Sequence, residues 1–327
     1  MTKNRKYIIL IIFLLIINFD IKFFQKIKMN SEMNFIHIAM SLNNNYIYPI
    51  IVSITSILIN SNKNTFINFH ILIGNDVEFG NKNKILSLKI LNDNSNFSFH
   101  NVGDNFRGWI HGKKKLTVAS FYRSILGELL KDVDKIIYLD GDTLIYGDLV
   151  EMYKLNMSNL YFRGIRELIP NGYLDEIDKT RFICAGVMLM NLKLIRENNV
   201  YNIFKNYYYQ FYKKQIYFGD QYIINVLFKN KIDFLPPKFG IWFMTNEYLK
   251  QYEKLKPIIY TTKELKKANE RPVIRHLWGT TKEGLFLEEK PWLFNRTCKV
   301  KEEWKYYAKK SGYYSSICLS FKNACKD

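Results

Sequence analysis

The chain has 327 residues, 48% of them apolar, and its 48 Lys and Arg against 30 Asp and Glu leave a formal net charge of +18. That length and apolar content mark a globular protein able to bury a sizeable core in one large domain or two small ones. The charge calls for anionic partners such as nucleotide phosphates, an acidic acceptor or an anionic membrane. Its lysines are scattered (Lys113 to Lys115, Lys263, Lys266, Lys267, Lys299 to Lys310) with no accompanying motif, so nucleic acid is not an expected partner.

The first segment, Tyr7 to Phe19, is nearly all aliphatic and aromatic and follows Lys3, Arg5 and Lys6, the charge pattern of a secretory or membrane-inserting segment. It falls short of the roughly 20 residues that span a bilayer. Extension to Phe24 takes in Asp20 and Lys22, the latter able to snorkel. No small-x-small cleavage site follows, so residues 1–30 read as an uncleaved signal anchor and a basic connector, ahead of a cleaved signal peptide or a buried core element. The positive-inside rule then places the rest of the chain on the non-cytoplasmic side, which is the ER or Golgi lumen if the cell is eukaryotic.

Phe35 to Met40 reads as a strand, Ser41 to Asn45 as a loop and Tyr46 to Ile59 as a helix. A second strand follows at Phe66 to Ile73, closed by Gly74-Asn75-Asp76, and then a helix at Lys82 to Leu91. Ala119 to Leu130 has apolar positions at helical spacing. Phe182 to Leu192 is a buried strand, Val200 to Phe211 a helix, Gln221 to Lys229 a second helix behind Gly219-Asp220, and Val273 to His276 a short strand. Alternating β and α elements argue for an α/β, doubly wound domain. No linker or repeat divides residues 34–292, which form one domain, and the basic aromatic stretch 293–327 is expected to be a helical appendage.

Ile136 to Tyr146 is the most informative stretch, because an apolar run without alternation ends in Asp140, Gly141 and Asp142. A strand covered on both faces has that pattern, and such sheets bind ligands beyond their carboxyl ends. Two neighbouring carboxylates are costly to ionise together without a cation, and hard oxygen ligands suit Mg or Mn. Asp-Gly between apolar stretches is also a hairpin signal, which stands as the alternative.

Five segments in order resemble the family 8 retaining glycosyltransferases of the GT-A fold, which include bacterial lipopolysaccharide hexosyltransferases and glycogenin: Ile38 to Tyr46; Phe121 to Arg123; Tyr138 to Asp142; Cys184 to Leu192 with Gly219-Asp220-Gln221; and His276 to Gly279 with Lys290-Pro291-Trp292. The resemblance implies a Rossmann-like fold with a mixed, mostly parallel sheet flanked by helices. It also implies a UDP-sugar donor, a glycan or glycoconjugate acceptor, and Mn(2+), with Mg possible, held by Asp140, Asp142 and His276. A hexose, glucose or galactose, is the expected group transferred.

The same resemblance assigns the remaining residues. Asn45 and Tyr46 match the loop that meets uracil and ribose, with Asn43 where the family usually has an acid. Arg123 matches its donor-binding Arg, and Glu167, rather than Arg166, its acidic donor contact. Lys282 matches the phosphate contact by its spacing from Gly279, whereas Lys-Pro-Trp points to Lys290; an insertion separates the two, and the spacing favours Lys282. Asp220 and Gln221 match the pair beside the anomeric carbon, although alone Asp220 reads as a helix N-cap. Cys184 and Tyr222 depart from the family at places that read sugar hydroxyls. Gln221 is a poor nucleophile, which favours front-side attack over a covalent intermediate. The departures keep two rivals open, a non-catalytic GT-A protein that binds glycan or UDP and another Asp-x-Asp transferase such as a nucleotidyltransferase.

Cys298, Cys318 and Cys325 lie in the tail, where an oxidising compartment would let two of them pair. Sequons at Asn96, Asn156 and Asn295 permit glycosylation in a eukaryotic lumen.

Overall fold

The computed structural model describes residues 33–109, 117–167, 181–211, 219–241, 254, 257–277, 290–292, 299–321 and 325. The anchor segment, Gly279, Lys282, Cys298 and the sequon at Asn295 lie outside them. Among the described residues no helix is long and apolar enough to cross a membrane.

The described residues open with β1 (Asn34–Leu42), α1 (Ile47–Asn60), β2 (Thr65–Ile73), α2 (Phe79–Ser87) and β3 (Ser95–Asn101). After a 3-10 helix at Val118–Ile125 come β4 (Lys135–Leu139), β5 (Thr143–Ile145), β6 (Phe162–Arg166) and β7 (Ile183–Asn191). Then follow α3 (Val200–Phe211), α4 (Asp220–Leu227), β8 (Ile232–Phe234), β9 (Phe239–Ile241), α5 (Thr262–Glu270) and β10 (Ile274–His276). Helices α6 (Lys299–Lys310) and α7 (Tyr314–Ser320) follow in the C-terminal stretch. The expected helix over Ala119 to Leu130 is instead 3-10 up to Ile125 and a single α turn beyond it.

Among the described residues, seven strands form the main sheet in the order β3-β2-β1-β4-β7-β6-β8. Strands β3, β2, β1 and β4 run parallel, β7 is antiparallel to both of its neighbours, and β8 lies parallel to β6. The sheet is therefore mixed and mostly parallel, as expected. Alternate residues of one strand enter different cores: Ile137 and Leu139 pack with α1, whereas Ile136 and Tyr138 pack with Phe121, Met188 and Ile223. Burial on both faces is why the run from Ile136 to Leu139 shows no hydropathic alternation.

A second, three-stranded sheet has the order β5-β10-β9. Strand β4 pairs with β1 and β7, and β5 pairs with β10. The Asp140-Gly141-Asp142 turn is thus a strand end between two sheets, and the hairpin alternative falls. Helix α1 lies between the sheets and is buried along almost its whole length. Its Ser53 hydroxyl bonds that of Thr143 at 2.9 Å, and its Ser56 hydroxyl accepts from the Ile145 N–H at 3.0 Å.

The tail is helical, as expected, but it is no appendage. Trp304, Tyr307 and Ala308 of α6 and Ile317 of α7 share a core with Val52 of α1, Leu144, Leu277 and Trp292. Cys318 and Cys325 are disulfide-bonded, which names one pairing among the tail cysteines. On the far half of the main sheet, His37, His70 and His100 stack across β1, β2 and β3 with ring nitrogens 2.9 and 3.1 Å apart.

Candidate active site

The carboxyl ends of β1 and β4 and the start of α4 surround one open cavity, which Asn43, Tyr46, Asp140, Asp142, Gln221 and His276 help to line. Asp140 follows β4 directly, and its N–H donates to Gly186 O at 2.8 Å, which extends the β4–β7 ladder to the turn. Gly141 has no room for a side chain, since a Cβ there would collide with Ile50 of α1. His276 arrives from 134 residues away because β10 pairs antiparallel with β5 and sets it opposite Thr143; Leu277 N–H then donates to Asp142 O at 2.7 Å.

His276 Nε2 is 3.2 Å from Asp142 Oδ1 and 4.0 Å from Asp140 Oδ2, and one ligand atom from each of the three residues falls within 4.8 Å of the others. Ligands of one cation at about 2.1 Å sit roughly 3–4 Å apart, so two carboxylates and an imidazole fit a divalent ion here. Gly186 supports that reading independently. A Cβ at this glycine would stand 2.7 Å from Asp140 Oδ2 and 2.8 Å from His276 Nε2, so the absence of a side chain leaves the space on which the donor atoms converge.

Arg123 braces the opposite wall. It is fully buried, with Nε 2.7 Å from Asp220 Oδ2, Nη1 3.3 Å from Asp140 Oδ1, and its guanidinium 4.3 Å over the Tyr138 ring. Burial opposes its charge, but Asp140 and Asp220 outweigh that and raise its pKa. Tyr138, two residues before Asp140 and on the same side of the strand, donates to Asp140 Oδ1 at 3.0 Å. Asp220 is the first residue of α4, with Gly219 in the capping position, so it is not the N-cap. Burial pushes its carboxyl up to about 6, partly offset by Arg123. Gln221 Oε1 accepts from Ala185 N–H at 2.9 Å while its Nε2 donates to Glu167 Oε2 at 2.6 Å, so both ends of the carboxamide are held.

A model of the glycosyl transferase family 8 matches residues 37–295. The chain belongs to this family. It is 26% identical over 212 residues to "Putative glycosyltransferase" of Haemophilus influenzae, covering 62% of each chain. It is 31% identical over 140 residues to "Glucoside xylosyltransferase 2" of Mus musculus, covering 36% of this chain and 31% of that one. Thus the chain spans less than two thirds of the length of these curated relatives. Among solved structures, the apo bifunctional glycosyltransferase WbbM superposes with a TM-score of 0.70 at 20% identity, over 87% of this chain and 51% of that one. Galactosyltransferase LgtC in complex with donor and acceptor sugar analogs gives 0.68 at 22% identity, over 84% of this chain and 96% of that one. The fold is GT-A, as in these neighbours.

Most residues assigned through the family 8 motifs converge on the cavity. Asn43 caps the turn before α1, accepting from Tyr46 N–H at 3.0 Å and donating to Thr117 Oγ1 at 2.9 Å. Asn45 is exposed and lies off the cavity wall. Glu167 is buried against Gln221, behind the cavity wall, whereas neighbouring Arg166 donates to Pro257 O. Cys184 lines the cavity, but its Sγ lies 3.6 Å from His276 Nδ1, so it serves the imidazole. Tyr222 is buried beside Tyr207, away from the cavity wall.

Lys290, passed over for Lys282, is the lysine of the described site. Its Nζ donates to Asp142 Oδ2 at 2.7 Å and to the Tyr46 hydroxyl. Burial alone would raise the Asp142 carboxyl, yet Lys290 and His276 hold it far below the usual range. The signal for Lys290 was Lys-Pro-Trp, because Trp292 anchors it by packing on Trp304 and edge-on to Tyr46. Gly186 and Tyr138 were missed as site residues; a glycine inside a fully buried strand is the mark of a close approach.

Proposed function

We propose that the protein is a retaining hexosyltransferase that moves glucose or galactose from a UDP-sugar to a glycan or glycoconjugate acceptor, dependent on Mn. The observation that carries this reading is the meeting, in one cavity, of the Asp140, Asp142 and His276 cluster with the Asp220–Gln221 pair. Asp140, Asp142 and His276 would hold the divalent ion. When bound, it stabilises the negative charge that grows on the departing diphosphate. Asp220, fixed by Arg123, accepts hydrogen bonds from hydroxyls of the donor sugar, and Gln221, fixed between Ala185 and Glu167, presents a neutral amide to the ring. An amide held at both ends is a poor nucleophile, which supports front-side attack with the departing phosphate oxygen taking the acceptor's proton. Tyr46 and Asn43 border the side where the nucleoside would lie.

Residues 1–30 are proposed to anchor the catalytic domain to a membrane on its non-cytoplasmic side. Resistance of the full chain to extraction by alkaline carbonate tests the anchor, and release into the supernatant would remove it.

The test of the activity is UDP release from a panel of UDP-sugars with Mn and then with EDTA. Metal-dependent hydrolysis of one UDP-hexose is expected. Absence of both turnover and UDP binding in the presence of Mn would overturn the reading, while binding without turnover on any acceptor or water would favour a non-catalytic member of the family.

A further inference from the structure

Asp142 meets an ammonium where the cation site needs a free carboxylate. One oxygen, Oδ1, faces His276 Nε2 at 3.2 Å, and the other, Oδ2, takes Lys290 Nζ at 2.7 Å and the Tyr46 hydroxyl at 3.4 Å. The ammonium also lies 5.0 Å from the Tyr46 ring centroid and 5.8 Å from that of Trp292. Aromatic faces favour a cation.

A fixed unit charge this close to the donor cluster repels a divalent ion entering by itself, and a buried site screens that repulsion weakly. Lysine is nevertheless a point charge on a flexible stem, able to leave one anion for another in the same cavity, and Lys290 lines the cavity with its side chain 21% accessible. Resting on the donor reading above, we infer that Lys290 is an exchangeable counter-cation: it neutralises Asp142 when no nucleotide is bound, opposes entry of the divalent ion alone, and transfers to the diphosphate, so that metal and nucleotide fill the site together. Each then raises the other's affinity by the same factor, as linkage requires.

The experiment is a titration of Mn into the full chain, followed by calorimetry or by the resonance of free Mn, with and without UDP. Wild type, Lys290→Met, Lys290→Gln, Lys290→Arg and Asp142→Asn are compared. Without UDP, the two neutral variants are expected to bind Mn about tenfold more tightly than wild type or more, Lys290→Arg to stay near wild type, and Asp142→Asn to lose binding. UDP should strengthen Mn binding by wild type more than by the neutral variants. If Asp142→Asn abolishes binding yet neither neutral variant gains affinity without UDP, this inference falls and the metal site stands. If wild type takes up no Mn with or without UDP, or keeps it in Asp142→Asn, both the site reading and the inference fall.

Discussion

The Sγ of Cys184 lies 3.6 Å from His276 Nδ1, while the other ring nitrogen, Nε2, faces Asp142 at 3.2 Å. Burial raises the Cys184 pKa, which favours a neutral thiol able to accept from Nδ1–H and leave the Nε2 lone pair for a metal. Partners of this kind typically contribute 10–100-fold to metal affinity. Cys184→Ala is therefore expected to weaken Mn binding by about tenfold in a calorimetric titration, and Cys184→Ser to recover most of it. Unaltered affinity in the alanine variant would reduce the thiol to a space-filler.

Asp142 is held by Lys290, His276 and the turn from β4 to β5, so its loss is felt at the site more than in the fold. Asp142→Ala is expected to lower metal-dependent turnover by roughly a hundredfold or more, as removal of a preorganised electrostatic contact commonly does. Initial-rate measurements over a range of Mn concentrations check this, and turnover equal to wild type at all of them would remove Asp142 from the site.

Gly186 is where β7 passes the donor cluster. In Gly186→Ala the new methyl group would meet His276 and Asp140 Oδ2, and overpacking of this kind costs about 1–3 kcal/mol. The expected result is a lower thermal midpoint together with weakened Mn binding. An alanine variant that binds Mn as wild type does would show that the donor atoms converge elsewhere.

Burial, together with His37 and His100, depresses the His70 pKa from 6.5 to about 4. A group whose folded pKa is lowered takes its proton more readily in the unfolded chain, so its contribution to stability is intact above pH 6.5. It is lost as the pH falls from there toward about 4. Urea midpoints measured across that window should fall with acidification, and more shallowly in His70→Gln. Equal slopes for the two proteins would show that the stacked imidazoles carry none of the acid sensitivity.

Trp304 of α6 is almost wholly buried among Val300, Trp292 and residues from α1 and β5. Trp304→Ala is expected to cost about 3–5 kcal/mol in a chemical-denaturation measurement. A loss confined to local fraying of α6 and α7, read by hydrogen exchange, would return the tail to the status of an appendage.

The linear pattern determined what lies near in sequence. The buried runs of β1, β2, β4 and β7, the helix Val200–Phe211, and the Asp140-Gly141-Asp142 turn at a strand end were all legible, because hydrophobic periodicity and turn chemistry act over a few residues. The family motifs named His276 and Gln221, which no local signal distinguishes. Only the tertiary structure decided which oxygen meets which nitrogen. Antiparallel pairing of β10 with β5 brings His276 to Asp142 across 134 residues, and packing of Trp292 on Trp304 brings Lys290 there across 148. The diversion of Cys184 to His276 and the burial of the C-terminal helices depend on contacts between distant segments. Such contacts follow from the register of whole strands and the filling of shared cores, which no short window of sequence contains.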